Sequence, residues 1–280
     1  MFLTVAILIS FLAGAFIGKS LAKQGVTAET ALQQYQRQVY WISFATLSMG
    51  TLLTVLMIAG KKSPWLPSFL LLYSGAYFWT SILLICCFST GFLIFLEQPG
   101  WRDKKRLQQL ILFLIVSLFA IAFLLYQNLP ITGLVQPAQI SEGVVLQTTS
   151  YSCSSASIAT LARLVKPELQ TTELDVVKLA GTNRQGTSIL GEIKAMQKLG
   201  LNPQYERNLK IEELVSRQQL AILHVMEPVG GIRIQHAIAL LTVDPEKQTL
   251  TVANPLYGKQ VKTFDEMQDY WIGEAVFVNP

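Results

Sequence analysis

Gln147-Thr-Thr-Ser-Tyr-Ser-Cys153-Ser-Ser-Ala156 decides how the second half of this 280-residue chain is read. The cysteine heads a run, Ser154 to Val165, in which Ile158, Leu161 and Val165 recur at helical spacing, with Ala159 and Ala162 alongside. A glutamine precedes it by six residues, across one short polar loop. Working outward, Thr172-Glu-Leu-Asp175 carries a capping-box pattern for a helix that runs to Ala180 and stops at Gly181. Thr187 or Ser188 can cap a further helix, Ile189 to Leu199, closed by Gly200. The period then changes. Leu220 to Met226 and Ile232 to Val243 read as strands, Asp244-Pro245 turns the chain, and Thr249 to Ala253 returns as a hairpin partner. A short helix after Thr263 and a last strand, Glu274 to Val278, complete the pattern. Helices followed by antiparallel strands make an α+β domain, and about 140 residues suffice for one core.

The order Gln147, Cys153, His236, Asn254 supplies the groups that acyl transfer through a thiol requires. A free thiol is mostly protonated at neutral pH, with a pKa of about 8.5. A helix N-terminus favours the thiolate, and a neighbouring imidazole can take the proton, so the Cys153 thiol is expected below its ordinary value. His236 follows Gly230-Gly231 and opens the apolar strand Ala237 to Leu241. Asn254 follows the return strand, where its side-chain carbonyl can fix the imidazole tautomer. The Gln147 amide and the Cys153 backbone N–H are expected to face a developing oxyanion, each donor contributing about 10²–10³ in rate. His224, within an apolar strand, reads as a hydrogen-bonded structural histidine, and Asp244 as a turn residue. This chemistry calls for no cofactor and no metal. With two histidines and one cysteine, this half cannot assemble a four-ligand Cys/His zinc site.

The first half is a different material. Its apolar runs are expected to form an all-α transmembrane bundle of about four helices, over residues 2–18, 39–59, 65–96 and 107–129. The third run is too long for one untilted span and too short for two, so one long or broken helix is expected. Trp101 and Tyr126 flank the fourth as interface aromatics. Residues 131–142 read as a linker, with the folded domain over 143–280. Gly14-Ala-Phe-Ile-Gly18 is a small-xxx-small motif. Cys86 and Cys87 read as packing residues. Up to residue 140 there are nine Lys/Arg and three Asp/Glu, and after it thirteen and fifteen, so the basic excess belongs to membrane flanks and offers no nucleic-acid surface. Lys19, Lys23 and Arg37, with Arg102, Lys104, Lys105 and Arg106, make seven basic residues around the first and third loops, against Lys61 and Lys62 in the second. That bias places the first and third loops in the cytoplasm and the folded domain on the extracytoplasmic side of a plasma membrane.

The second half resembles the C39 peptidases, papain-like cysteine peptidases that remove double-glycine leaders from bacteriocins and related exported peptides. Gln147 to Leu164 is similar to that family's oxyanion and nucleophile segment. Gly181-Thr-Asn-Arg-Gln-Gly-Thr187-Ser-Ile-Leu-Gly-Glu192 is similar to its second block, Gln235-His-Ala-Ile-Ala-Leu-Leu241 to its histidine strand, and Ala253-Asn-Pro255 to its third triad segment. The resemblance implies an α+β papain-like fold with Cys153 as nucleophile, His236 as base, Asn254 as orienting residue and Gln147 as oxyanion donor. It also implies a peptide or protein substrate. Ser152-Cys153-Ser154 stands where the family has Asp-Cys-Gly, and Asn254-Pro255 where it has Asp-Pro. The chain holds no Walker-type Gly-rich loop, so beyond the lipid bilayer the expected partner is a separate export transporter. Two other readings fit the same residues: a silent peptide-binding module of a secretion assembly, and a thiol acyltransferase.

Overall fold

The computed structural model describes residues 2–27, 30, 37–58 and 66–279. Lys61 and Lys62, and the expected span ends Ala59 and Trp65, lie outside the described residues. The chain divides into two compact units, Met1–Asn128 and Leu129–Pro280.

The first unit is helical: α1 (Phe2–Lys23), α2 (Arg37–Ile58), α3 (Ser68–Leu96) and α4 (Lys104–Asn128). All four are long and apolar enough to cross a membrane. The long third run is one unbroken helix of 29 residues, about 44 Å at the usual rise, so it outreaches the roughly 30 Å hydrocarbon layer. A 3₁₀ turn, Gln98–Arg102, joins it to α4. Gly14 and Gly18 have a definite packing role. A Cβ on Gly14 would overlap the Phe88 carbonyl oxygen, one on Gly18 that of Phe92, and one on Gly91 that of Phe11. The α1 and α3 backbones are therefore in direct contact, as small-residue motifs permit. Elsewhere the helices turn large apolar side chains outward, among them Leu8, Phe16, Phe44, Leu47, Leu112 and Phe119.

The second unit is an α+β domain. Its strands are β1 (Gln139–Ser141), β2 (Val144–Leu146), β3 (Pro203–Arg207), β4 (Ala221–Val229), β5 (Ile232–Asp244), β6 (Thr249–Asn254), β7 (Gly258–Thr263) and β8 (Trp271–Val278). Its helices are α5 (Cys153–Val165), α6 (Glu173–Ala180), α7 (Ile189–Lys198), α8 (Ile211–Arg217) and α9 (Phe264–Tyr270). Six strands form one sheet in the order β3-β8-β4-β5-β6-β7, each antiparallel to its neighbour, and β1 and β2 form a separate hairpin. Successive side chains point to opposite faces of a strand, and the cores follow that alternation. Ile222, Ala237, Ala239 and Val276 pack with Ile158 and Leu161 of α5, Val176 of α6 and Met196 of α7. Leu223, Val225, Ile238, Leu240 and Phe277 pack with Leu214 of α8 and Met267 of α9.

The helix signals act as their chemistry requires. Thr172 and Asp175 exchange both bonds of a capping box, Gly181 takes φ 70° at the end of α6, and Ser188 accepts from Gly191 N–H to start α7. The stretch 131–142 is not a bare connector: Ile131 is fully buried, its N–H bonds the Thr182 carbonyl, and Gln139–Ser141 pairs with Val144–Leu146.

Candidate active site

Cys153 is the first residue of α5. Its position follows from how the sheet opens. Pairing of β5 with β6 ends at Ala239↔Ala253. Beyond it the backbone N–H groups of Ala237 and Ser154 lie close enough to the Cys153 thiol to favour its ionised form. Ser157, one turn along α5, donates to the Ala237 carbonyl at 3.0 Å, which ties the helix start to the same strand position. The thiol thus lies one residue from His236, and it makes no hydrogen bond to the imidazole.

His236, Asn254, Glu227 and Tyr270 form one buried chain of hydrogen bonds. His236 Nε2 stands 3.0 Å from Asn254 Oδ1. The same oxygen accepts from Leu256 N–H at 2.9 Å, closing the turn after β6. Asn254 Nδ2 donates to Glu227 Oε2 at 2.9 Å and lies 3.4 Å from the Tyr270 hydroxyl, which itself donates to Glu227. Asn254 is fully buried, and Glu227, His236 and Tyr270 nearly so. Leu256 N–H can only donate and a carboxylate oxygen can only accept, so the amide has one orientation that satisfies both. With an acceptor against Nε2, the neutral ring carries its proton there, and Nδ1 keeps the lone pair.

Burial sets the protonation states. It pushes the Cys153 thiol above its ordinary value, and the nearby Glu192 adds to that, while bonds from Ala237 and Ser154 oppose it. Burial likewise draws His236 down, against the Asn254 bond and the Glu227 charge. The expectation of a depressed thiol is corrected here: a helix N-terminus and an imidazole favour thiolate, but loss of water outweighs them in this closed site. Both shifts favour the uncharged forms, a thiol at Cys153 and a neutral imidazole at His236.

Gln147 sits on the loop entering α5. Its backbone N–H bonds the Pro255 carbonyl at 2.9 Å, which joins this loop to the Asn254 turn. Its side-chain Nε2 donates to Thr149 O at 2.8 Å, using one of its two donors within its own loop, and Oε1 is buried without a partner. The loop is held from below by Glu173. That carboxylate is fully buried and accepts from Thr148 N–H at 3.0 Å and from its hydroxyl at 2.8 Å.

His224, expected as a structural histidine, lies between two carboxylates: Nε2 is 3.0 Å from Glu192 Oε2 and Nδ1 3.5 Å from Glu274 Oε2. Burial draws its pKa down, but Glu192 and Glu274 outweigh that and push it up to about 10. Asp244 closes a turn with Lys247, as its place before a proline implied. Sequence reasoning missed Glu227, Tyr270 and Glu173. For Glu227 a signal existed: the alternation of β4 turns it to the same side as the core residues Leu223 and Val225.

Residues 141–280 match the Peptidase C39 family, and the chain belongs to it. An uncharacterised protein of Methanothermobacter thermautotrophicus is 30% identical over 118 residues, 42% of this chain and 75% of that protein. The lactococcin-G-processing and transport ATP-binding protein LagD of Lactococcus lactis is 25% identical over 138 residues, 49% of this chain and 19% of LagD. Among solved structures, the peptidase domain of Streptococcus ComA, a bi-functional ABC transporter, aligns with a TM-score of 0.42 at 22% identity, covering 48% of this chain and 96% of that one. The double-glycine-motif protease of the AMS/PCAT transporter, in complex with its leader peptide, aligns at 0.41 and 20%, covering 52% and 100%.

Proposed function

We propose that this chain is a membrane-anchored cysteine peptidase. One observation carries the reading: His236 is bonded through Nε2 to Asn254 while Ser157 ties the helix that Cys153 begins to the adjacent Ala237. Nδ1 of His236 takes the thiol proton as the sulfur attacks the scissile carbonyl, and the resulting imidazolium returns it to the leaving amine. Water then hydrolyses the thioester. Asn254 holds the ring and its tautomer. The backbone N–H of Cys153 and the Gln147 amide bind the oxyanion, which requires Nε2 of Gln147 to turn from Thr149 toward the substrate. The substrates are peptides with double-glycine-type leaders, a reading supported by family membership and by what LagD processes. The four helices cross a plasma membrane, with the peptidase domain extracytoplasmic by the distribution of basic residues, and a separate transporter delivers the leader-bearing precursor to that side.

The test is cleavage of a panel of leader-bearing peptides by the purified full chain, followed by mass spectrometry. One cut after the leader, abolished in Cys153→Ala, is expected. Transfer products in place of free acids would make it an acyltransferase. A second reading, peptide binding without cleavage, is favoured by the raised thiol and the inward Gln147 bond. Stoichiometric binding of the same peptides with no product would establish it.

A further inference from the structure

We propose that Glu227 is a positioning residue of this site, holding the Asn254 amide in the orientation that keeps His236 Nδ1 free as the base. The proposal rests on the peptidase reading of Cys153 and His236. Consider the amide turned end for end. Oδ1 would face the Glu227 carboxylate, acceptor against acceptor, and Nδ2 would face the Leu256 N–H, donor against donor. Both contacts lie in a fully buried position, where an unmet polar group is expensive. Leu256 alone supplies half of that lock and Glu227 the other half. Glu227 is itself held by the Tyr270 hydroxyl, so it cannot swing away to accept from elsewhere. If the amide turned, it would offer an N–H to Nε2. The ring proton would then move to Nδ1, and no lone pair would remain for the thiol.

The carboxylate has a second effect along the same chain. The groups that bear on His236 are Asn254 at the end of β6 and Glu227 from β4 with Tyr270 of α9 behind it, while Cys153 at the start of α5 is tied through Ser157 to the neighbouring Ala237. The Glu227 charge favours the imidazolium that forms as the thiol is deprotonated. Glu227 therefore sets both the tautomer of the resting ring and the stability of the charged one.

The test needs no substrate. The full chain is alkylated with iodoacetamide from pH 4 to 10, and modification of Cys153 is followed by peptide mass spectrometry, with Cys86 and Cys87 as internal references. Glu227→Gln removes the charge and lets either end of its amide face Asn254. The Cys153 rate is expected to fall at least about fivefold and its His236-dependent rise to move to lower pH. A substitution that merely loosened the fold would lower the rate without that displacement. In a second comparison, Asn254→Asp sets two carboxylates together and is expected to lose about tenfold or more. Adding Glu227→Gln supplies a donor to the new carboxylate and restores most of the rate. That pair carries the test if Glu227→Gln alone does not fold. An unchanged rate and pH profile in Glu227→Gln, or equal rates for Asn254→Asp with and without it, overturns the proposal while leaving the peptidase reading intact. A wild-type profile that ignores His236→Ala overturns that reading and the proposal with it.

Discussion

The two histidines of this chain lie on neighbouring strands of one sheet and are held in opposite states. His224 of β4 sits between Glu192 and Glu274 and is pushed up to about 10, so it is a fixed cation. His236 of β5 has an amide as its nearest partner, and burial holds it below its ordinary value, so it is neutral. Burial acts in the same direction on both rings. The difference comes from what touches the ring: two carboxylates repay the loss of water and one amide does not. A cation can cement α7 to the sheet, but it cannot take a proton. His236 meets the amide of Asn254 directly, and the Glu227 carboxylate stands one residue further off, behind Asn254.

The sharpest way to break this comparison is to remove each ring in turn. His236→Ala should lower kcat/KM for a cleaved peptide by about 10³-fold or more while leaving the unfolding midpoint nearly unchanged. His224→Gln should do the reverse. It strands two buried carboxylates, which costs about 3–5 kcal/mol, and lowers activity only through the folded fraction. If both substitutions damage activity and stability alike, the division of roles is wrong.

A pH titration of stability sharpens the same contrast. The folded pKa of His224 lies above its unfolded value of about 6.5. Its contribution is therefore fully present below about pH 6.5 and fades as the pH rises through about 10. Thermal unfolding of residues 129–280 should lose a few kcal/mol over that interval, and the loss should be much smaller in His224→Gln. A third, smaller effect links the two sites. Glu192 pairs with His224 and also raises the Cys153 thiol. Glu192→Gln should destabilise the fold and yet speed Cys153 alkylation a few-fold at fixed pH. A slower thiol in that variant would mean that Glu192 acts on Cys153 through structure and not through charge.

What the sequence made legible follows from what it encodes locally. The caps at Thr172, Gly181 and Ser188, the periodicity of α5 and the central strands β4, β5 and β6 were readable because each depends on neighbours along the chain. The strands missed were the β1–β2 hairpin and the sheet edges, β3 and β7. Pro203-Gln-Tyr-Glu-Arg207 has no fully buried residue, and Val261 of β7 faces outward, so neither shows a clean apolar alternation. The pairing of Asn254 with His236 was foreseeable from the hairpin, and the structure brings them together. The direction of the thiol shift was not, because burial of Cys153 depends on the α5 and β5 contacts made only in the folded domain. Ile131 was assigned to a linker for the same reason: its burial against the fold leaves no local trace. A soluble fragment begun at 129 should accordingly outlast one begun at 138 in thermal unfolding, by about 2–4 kcal/mol for the lost side chain alone.

The central claim is that Cys153 is served by a neutral His236 whose base nitrogen is free. Its most direct test is the rate of Cys153 alkylation against pH, in wild type and His236→Ala. The account predicts a rise below pH 6.5 that disappears in His236→Ala, followed by a second rise above the ordinary thiol value of about 8.5 as the thiol itself ionises. A single thiol titration near about 8.5, the same in both proteins, would contradict it.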